Sequence, residues 1–182
     1  MKNPGSGKSH SSPSGVGGKI LLLIRHAKSD WNGASLSDFD RPLNERGKRD
    51  APVMAHRLLD KKINIDAFIT SPAKRAKKTA TIFANEFKRD KDEVILRQEL
   101  YEAPAEIFYK VISAIDDQFN SVAIFSHNPG ITDFANSLTN VRIDNIPTCG
   151  IFALKINTRH WKNFKEAGKE FWFADYPKAE HK

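Results

Sequence analysis

The sequence predicts an α/β fold, a three-layer α/β/α sandwich around a mostly parallel central sheet. Two features carry that expectation. Short unbroken apolar runs occur where strands buried on both faces would lie. Between them run longer segments whose apolar residues recur at helical spacing, and such alternation builds layered α/β domains.

The first strand is Ile20-Leu21-Leu22-Leu23-Ile24, bounded by Lys19 and Arg25. Asp66 to Ile69, Val94 to Leu96 and Val122 to Phe125 are the next three, followed by Ile151 to Ile156 and Phe171 to Phe173 towards one edge. The first helix is expected from about Asn44 to Lys61, with Val53, Met54, Leu58 and Leu59 on its apolar side. Pro52 falls inside it, so Asp50 is expected to cap a restarted helix whose first turn tolerates the proline. The second helix covers Pro72 to about Phe87, with Ala76, Ala80, Phe83 and Phe87 inward. A third begins near Pro104, with Ile107, Phe108, Val111, Ile112 and Ile115 inward, and a fourth follows Pro129.

Residues 1–18 are rich in Gly, Ser and Pro and are expected to form a disordered tail, whether native or left by cloning; 19–182 form one domain. Gly7-Lys8-Ser9 looks like the end of a phosphate-binding loop, but that motif needs a glycine where Lys2 stands, and no strand precedes it. No apolar run approaches the length of a membrane span, so no membrane partner is expected. The single cysteine, Cys149, permits no internal disulfide and reads as a small core residue, which suits a reducing cytoplasm. The net charge of +7 comes from dispersed basic residues, densest at Lys74, Arg75, Lys77 and Lys78, with no aromatic stacking platform. That pattern fits an anionic substrate and argues against nucleic acid.

Ligands of open α/β sheets bind beyond the carboxyl ends of the strands. After Ile24 come Arg25 and His26; after Ile69 come Ser71, Pro72 and Arg75; after Phe125 come Ser126, His127, Asn128, Pro129 and Gly130. Arginines and histidines are thus delivered to one rim. Guanidinium groups match phosphate oxygens, and Arg75 near a helix start adds the favourable end of the helix dipole. Nearby positive charge disfavours imidazolium, so His26 is expected to be neutral at pH 7 with a lone pair free to attack phosphorus. A hydrogen bond from its other nitrogen to a backbone carbonyl would fix the tautomer. The sequence offers no His-Glu-x-x-His or paired-cysteine motif, so no metal site and no cofactor are expected.

Arg25-His26-Ala27-Lys28-Ser29-Asp30-Trp31-Asn32, Asp40 to Gly47, Ser71-Pro72 with Arg75 and Thr79-Ala80, and Ser126 to Gly130 resemble, in order, the motifs of the histidine phosphatase superfamily, which includes the phosphoglycerate mutases. The chain is most similar to its short SixA-type phosphohistidine phosphatases. The resemblance implies a phosphoglycerate mutase-like fold and transient phosphorylation of His26. It implies that Arg25, Arg75 and His127 complete a phosphate pocket, with Ser29 and Asn32 as further contacts. Glu102 aligns with the segment that carries an acidic proton donor, with Asp30, Asp40 and Glu99 as weaker alternatives. Ala27 stands where the family usually has glycine, a modest change if φ stays negative. Lys28 makes the pocket more basic.

Leu96 to Pro104 is short and no long insertion is visible, so the site is expected to be open and shallow. That suits a phosphohistidine on a protein surface better than a small ester, which gains from enclosure. Two other functions fit the same residues: a phosphatase of small phosphate esters, and a phosphate-binding module without turnover. Trp31 and Trp172 read as packing residues.

Overall fold

The computed structural model describes residues 18–31 and 36–179. The expected tail lies outside them apart from Gly18, as do Asn32, His10 and His181. Among the described residues, six strands form one sheet: β1 (Lys19–Arg25), β2 (Ala67–Thr70), β3 (Ile95–Leu96), β4 (Ser121–Ser126), β5 (Ile151–Asn157) and β6 (Gly168–Asp175). Their order is β3-β2-β4-β1-β5-β6. β1, β2, β3 and β4 run parallel, while β5 and β6 close one edge in antiparallel fashion. Four α-helices among the described residues cover the sheet: α1 (Glu45–Asp60), α2 (Lys74–Glu86), α3 (Ala105–Ser113) and α4 (Gly130–Leu138). No helix among the described residues is long and apolar enough to cross a membrane.

The apolar runs become the central strands because both faces are covered. Leu21 and Leu23 point to one core, with Phe108, Val111 and Phe134 of α3 and α4. Leu22 and Ile24 point to the other, with Met54, Leu58 and Phe83 of α1 and α2. Alternate residues of one strand thus serve two cores, which is why β1 carries no polar face.

α1 departs from expectation. It is one uninterrupted helix, and Asp50 caps nothing. Asn44 is the cap, its side chain accepting from Gly47 N at 2.9 Å. Pro52 sits inside the helix. A proline there removes one backbone hydrogen bond, at about 3 kcal/mol. Burial of Ala51, Met54, Ala55 and Leu58 on the same helix offsets that loss. Val53, expected inward, is 48% exposed.

Two glycines set the approach of helices to the rim. A Cβ on Gly47 would lie 2.2 Å from the Lys28 carbonyl oxygen, so only glycine lets α1 press on the loop that follows β1. A Cβ on Gly130 would lie 1.8 Å from the Ala103 oxygen, so α4 can start directly beneath the chain that carries Glu102.

Candidate active site

The register of the parallel strands fixes the site. Arg25 is level with Ser126, and Thr70 with Phe125, so the chain leaves β1, β2 and β4 at one edge. The turn into β5 meets the same edge: Cys149 N–H donates to the carbonyls of Arg25 and His26, both at 3.1 Å. A cleft of about 290 Å³ opens there. Arg25, His26, Ser29, Arg75, Glu102 and His127 all line it. So do Lys28, expected to make the pocket more basic, and Trp31, expected to pack, together with Asp38, Arg41, Asn128 and Thr148, to which the sequence assigned no specific role.

His26 is buried, with 7% of its surface exposed. Its Nδ1 lies 2.7 Å from the Ala27 carbonyl oxygen, which can only accept, so Nδ1 carries the proton. Arg75 Nε–H donates to His26 Nε2 at 3.3 Å, so Nε2 presents a lone pair. The pKa of His26 is pushed down to about 3, first by burial and then by the charges of Arg75, Arg25 and Arg41, against the opposing bond to Ala27. The sequence pointed to the arginines as the cause; desolvation is the larger one. Ala27 N–H donates to Thr79 Oγ1 at 3.0 Å, and Ala27 is not among the residues of positive φ. The missing glycine therefore carries no backbone penalty.

His127 stands 5.2 Å from His26 between ring centroids. Burial, the neighbouring His26 and Arg75 push its pKa to about 3 as well. Its Nε2 is 2.8 Å from Ser71 Oγ, and Ser71 Oγ accepts from Ala73 N–H at 3.3 Å. Its Nδ1 is buried without a partner. Arg25 Nη1 donates to the Ile146 carbonyl at 3.0 Å, and its Nε is likewise unpartnered.

Both histidines make folding pH-dependent. Unfolded imidazoles take up protons as pH falls through about 6.5, whereas the folded ones do so only near 3. Stability is full above about pH 6.5 and is lost as pH falls from there towards 3. From pH 7 to 5 the loss is about 2 kcal/mol per histidine. Urea unfolding at the two pH values is expected to show His26→Ala losing about 2 kcal/mol less than the native protein. Equal losses would overturn the burial of a neutral His26.

Asp38 was missed because nothing in the segment between β1 and α1 is periodic. Its Oδ2 accepts from Arg75 Nη2 and Tyr101 Oη, both at 2.9 Å, and its Oδ1 from Arg41 Nη2 at 2.8 Å. Burial alone would raise its pKa, but the Tyr101 bond and then Arg75 outweigh that and hold the carboxyl below its ordinary value. Trp31, expected to pack inside, is 72% exposed, with the Arg41 guanidinium 3.7 Å from its ring centroid. Glu102 sits at the rim, exposed, with φ 51°. Ser29 is buried and paired by an isolated bridge to Leu43. Cys149 is a buried thiol whose pKa is pushed up by desolvation, as a core residue should be. His56 and His160 pair with Glu86 and Asp117 on the surface, away from the cleft. Among the described residues, no cluster of His, Cys, Asp and Glu of metal-binding size occurs.

Residues 21–111 match the histidine phosphatase superfamily (branch 1). The chain is similar to an uncharacterized protein of Mycobacterium leprae, with 30% identity over 154 residues, 78% of this chain and 92% of that protein. Its fold is similar to that of the SixA protein of Agrobacterium tumefaciens, with a TM-score of 0.74 and 24% identity over 87% of this chain and 98% of that one. It is also similar to the protein histidine phosphatase SixA complexed with tungstate, with a TM-score of 0.73 and 20% identity over 87% and 97% of the two chains.

Proposed function

The chain belongs to the histidine phosphatase superfamily, branch 1, and from that premise we propose that it is a phosphatase that acts through a phosphorylated His26, on phosphohistidine in proteins. His26 Nε2 attacks phosphorus and the bond from phosphorus to the substrate nitrogen breaks. The electron pair leaves with that nitrogen, and the substrate imidazole departs neutral because its far nitrogen has taken a proton from solvent. Water then attacks the phosphoryl group on His26. The bond to Nε2 breaks, its electron pair returns to Nε2, and inorganic phosphate leaves with the water's protons. The Ala27 carbonyl keeps the Nδ1 proton in place throughout. Arg25, Arg75 and His127 hold the phosphoryl oxygens and spread their charge. Ser29 and Asn32 act as further contacts.

One observation carries the choice of substrate. The carboxyl group most firmly tied into the cleft, Asp38, is held ionised by Tyr101 and Arg75 and so cannot serve as a proton donor. The other carboxyl lining the cleft, that of Glu102, is exposed at the rim. An alkoxide leaving group needs a general acid, worth about 100-fold or more; imidazole does not. Only a 3₁₀ turn at Gln98–Leu100 and a short loop separate β3 from α3, which leaves little chain there to enclose a small ester. Glu102 assists where a leaving group does need a proton. A cytoplasmic enzyme is consistent with the buried free thiol of Cys149.

The experiment compares kcat/KM for a phosphohistidine-bearing protein, p-nitrophenyl phosphate and 3-phosphoglycerate. The phosphoprotein is expected to lead the glycerate by about 100-fold or more. Preference for 3-phosphoglycerate would overturn the substrate, though not the phosphatase.

A further inference from the structure

Arg75 is held from the side away from His26. Its Nη1 donates to the Asp38 carbonyl oxygen at 2.6 Å and its Nη2 to Asp38 Oδ2 at 2.9 Å, while Nε faces His26 Nε2. One residue thus takes both terminal nitrogens and leaves the Nε edge to the reacting centre. Asp38 is itself fixed at three points. Tyr101 Oη shares Oδ2, and Arg41 Nη2 takes Oδ1. Arg41 is 9% exposed and its guanidinium lies over the Trp31 ring. Tyr101 is wedged edge-on between Phe39 and His127, with centroids at 5.1 and 5.6 Å. The Asp38 side chain itself is 46% exposed, so its charge is partly screened and its orientation is the larger asset.

We propose that Asp38 is a positioning residue for catalysis: it fixes the plane of the Arg75 guanidinium so that the Nε edge meets the phosphoryl oxygens in line with His26. Misplacing a catalytic group by about 1 Å can lower a rate by about 100-fold. Asp38 is neither nucleophile nor acid. The proposal rests on the phosphatase reading for its ligand, a phosphoryl group, but its geometry is independent of which phosphorylated substrate is native.

Asp38→Ala and Asp38→Asn separate the possible roles. Asparagine keeps an oxygen for Arg75 and Tyr101 and gives up only the Arg41 contact. Asp38→Ala is expected to lower kcat about 10- to 100-fold, equally for phenyl phosphate and 2,4-dinitrophenyl phosphate, with Asp38→Asn recovering most of it. A loss that shrinks with the better leaving group, and that asparagine does not restore, would make Asp38 a general acid and overturn the proposal. Unchanged kcat in Asp38→Ala would overturn it too. Binding of tungstate, measured by calorimetry, is the second readout. It is expected to weaken in Asp38→Ala and recover in Asp38→Asn. If the native protein turned over neither these esters nor a phosphohistidine-bearing protein, the phosphatase reading would fail, and tungstate affinity alone would decide for or against Asp38.

Discussion

Replacing His26 with alanine is expected to lower turnover about 10⁴-fold or more, the scale of removing a nucleophile that works in a unit with its neighbours. The cleft holds two neutral histidines, so the prediction has to say why His26 is the one that attacks. Its Nδ1 proton is committed to the Ala27 carbonyl at 2.7 Å, and its Nε2 lone pair meets Arg75, one of the two arginines that would hold the phosphoryl group. His127 offers the cleft a different arrangement. Its Nε2 is tied to Ser71 Oγ, and only a buried Nδ1 is left over. That suits a group that donates to an oxyanion more than one that advances on phosphorus. The check is acid-quenched trapping with labelled phosphosubstrate. Label is expected on the native protein and absent from His26→Ala, while His127→Ala still accumulates some. Label persisting on His26→Ala would move the nucleophile elsewhere. The low pKa adds a second readout. Because His26 stays neutral down to about pH 3, the rate should not fall between pH 7 and 5 through its protonation. An ordinary imidazole would lose more than 10-fold over that range.

The parts of this site that were legible in the sequence are those set by strand ends. A buried parallel strand shows as an unbroken apolar run, and the first polar residues after it must fall at the sheet's carboxyl edge. That rule alone puts Arg25, His26, Ser71 and His127 at one rim. Arg75 followed from its place at a helix start. What stayed hidden is held by loops whose course depends on contacts distant in sequence. The segment from Trp31 to Arg41 has no period of 2 or 3.6. Its far end is drawn back by Asp30 N–H to the Pro42 carbonyl, Asn44 N–H to the Lys28 carbonyl and the Ser29–Leu43 bridge. Asp38 and Arg41 reach the cleft only because those bonds form. Trp31 misled for a related reason: a large aromatic is usually buried, but here one face carries the Arg41 guanidinium and most of the ring meets water. Pro52 misled because local chemistry favoured a restart, while Asn44 and the packed face of α1 keep the helix whole.

Arg75→Ala should produce the other large effect, a fall in kcat/KM of about 10³- to 10⁴-fold, within the span seen when a guanidinium is removed from phosphoryl transfer. Arg75 is 4% exposed and lies at the start of α2, so its charge acts through little water and is aided by the helix N-terminus. Removing it does more than subtract a ligand. Asp38 loses a hydrogen-bond donor and a cation that hold its carboxyl low, leaving a carboxylate beside the incoming phosphoryl dianion with less to neutralise it. His26 loses the donor at Nε2 and one of the charges that suppress its protonation. Arg75→Lys therefore discriminates. Lysine restores a charge but not a planar group that reaches Asp38 with two nitrogens and His26 with a third. It should recover no more than about 10-fold of the loss. Steady-state kinetics on p-nitrophenyl phosphate, with circular dichroism to verify folding, measures both variants. Near-full recovery by lysine would reduce Arg75 to a point charge, and the fork geometry would then have no part in the reaction.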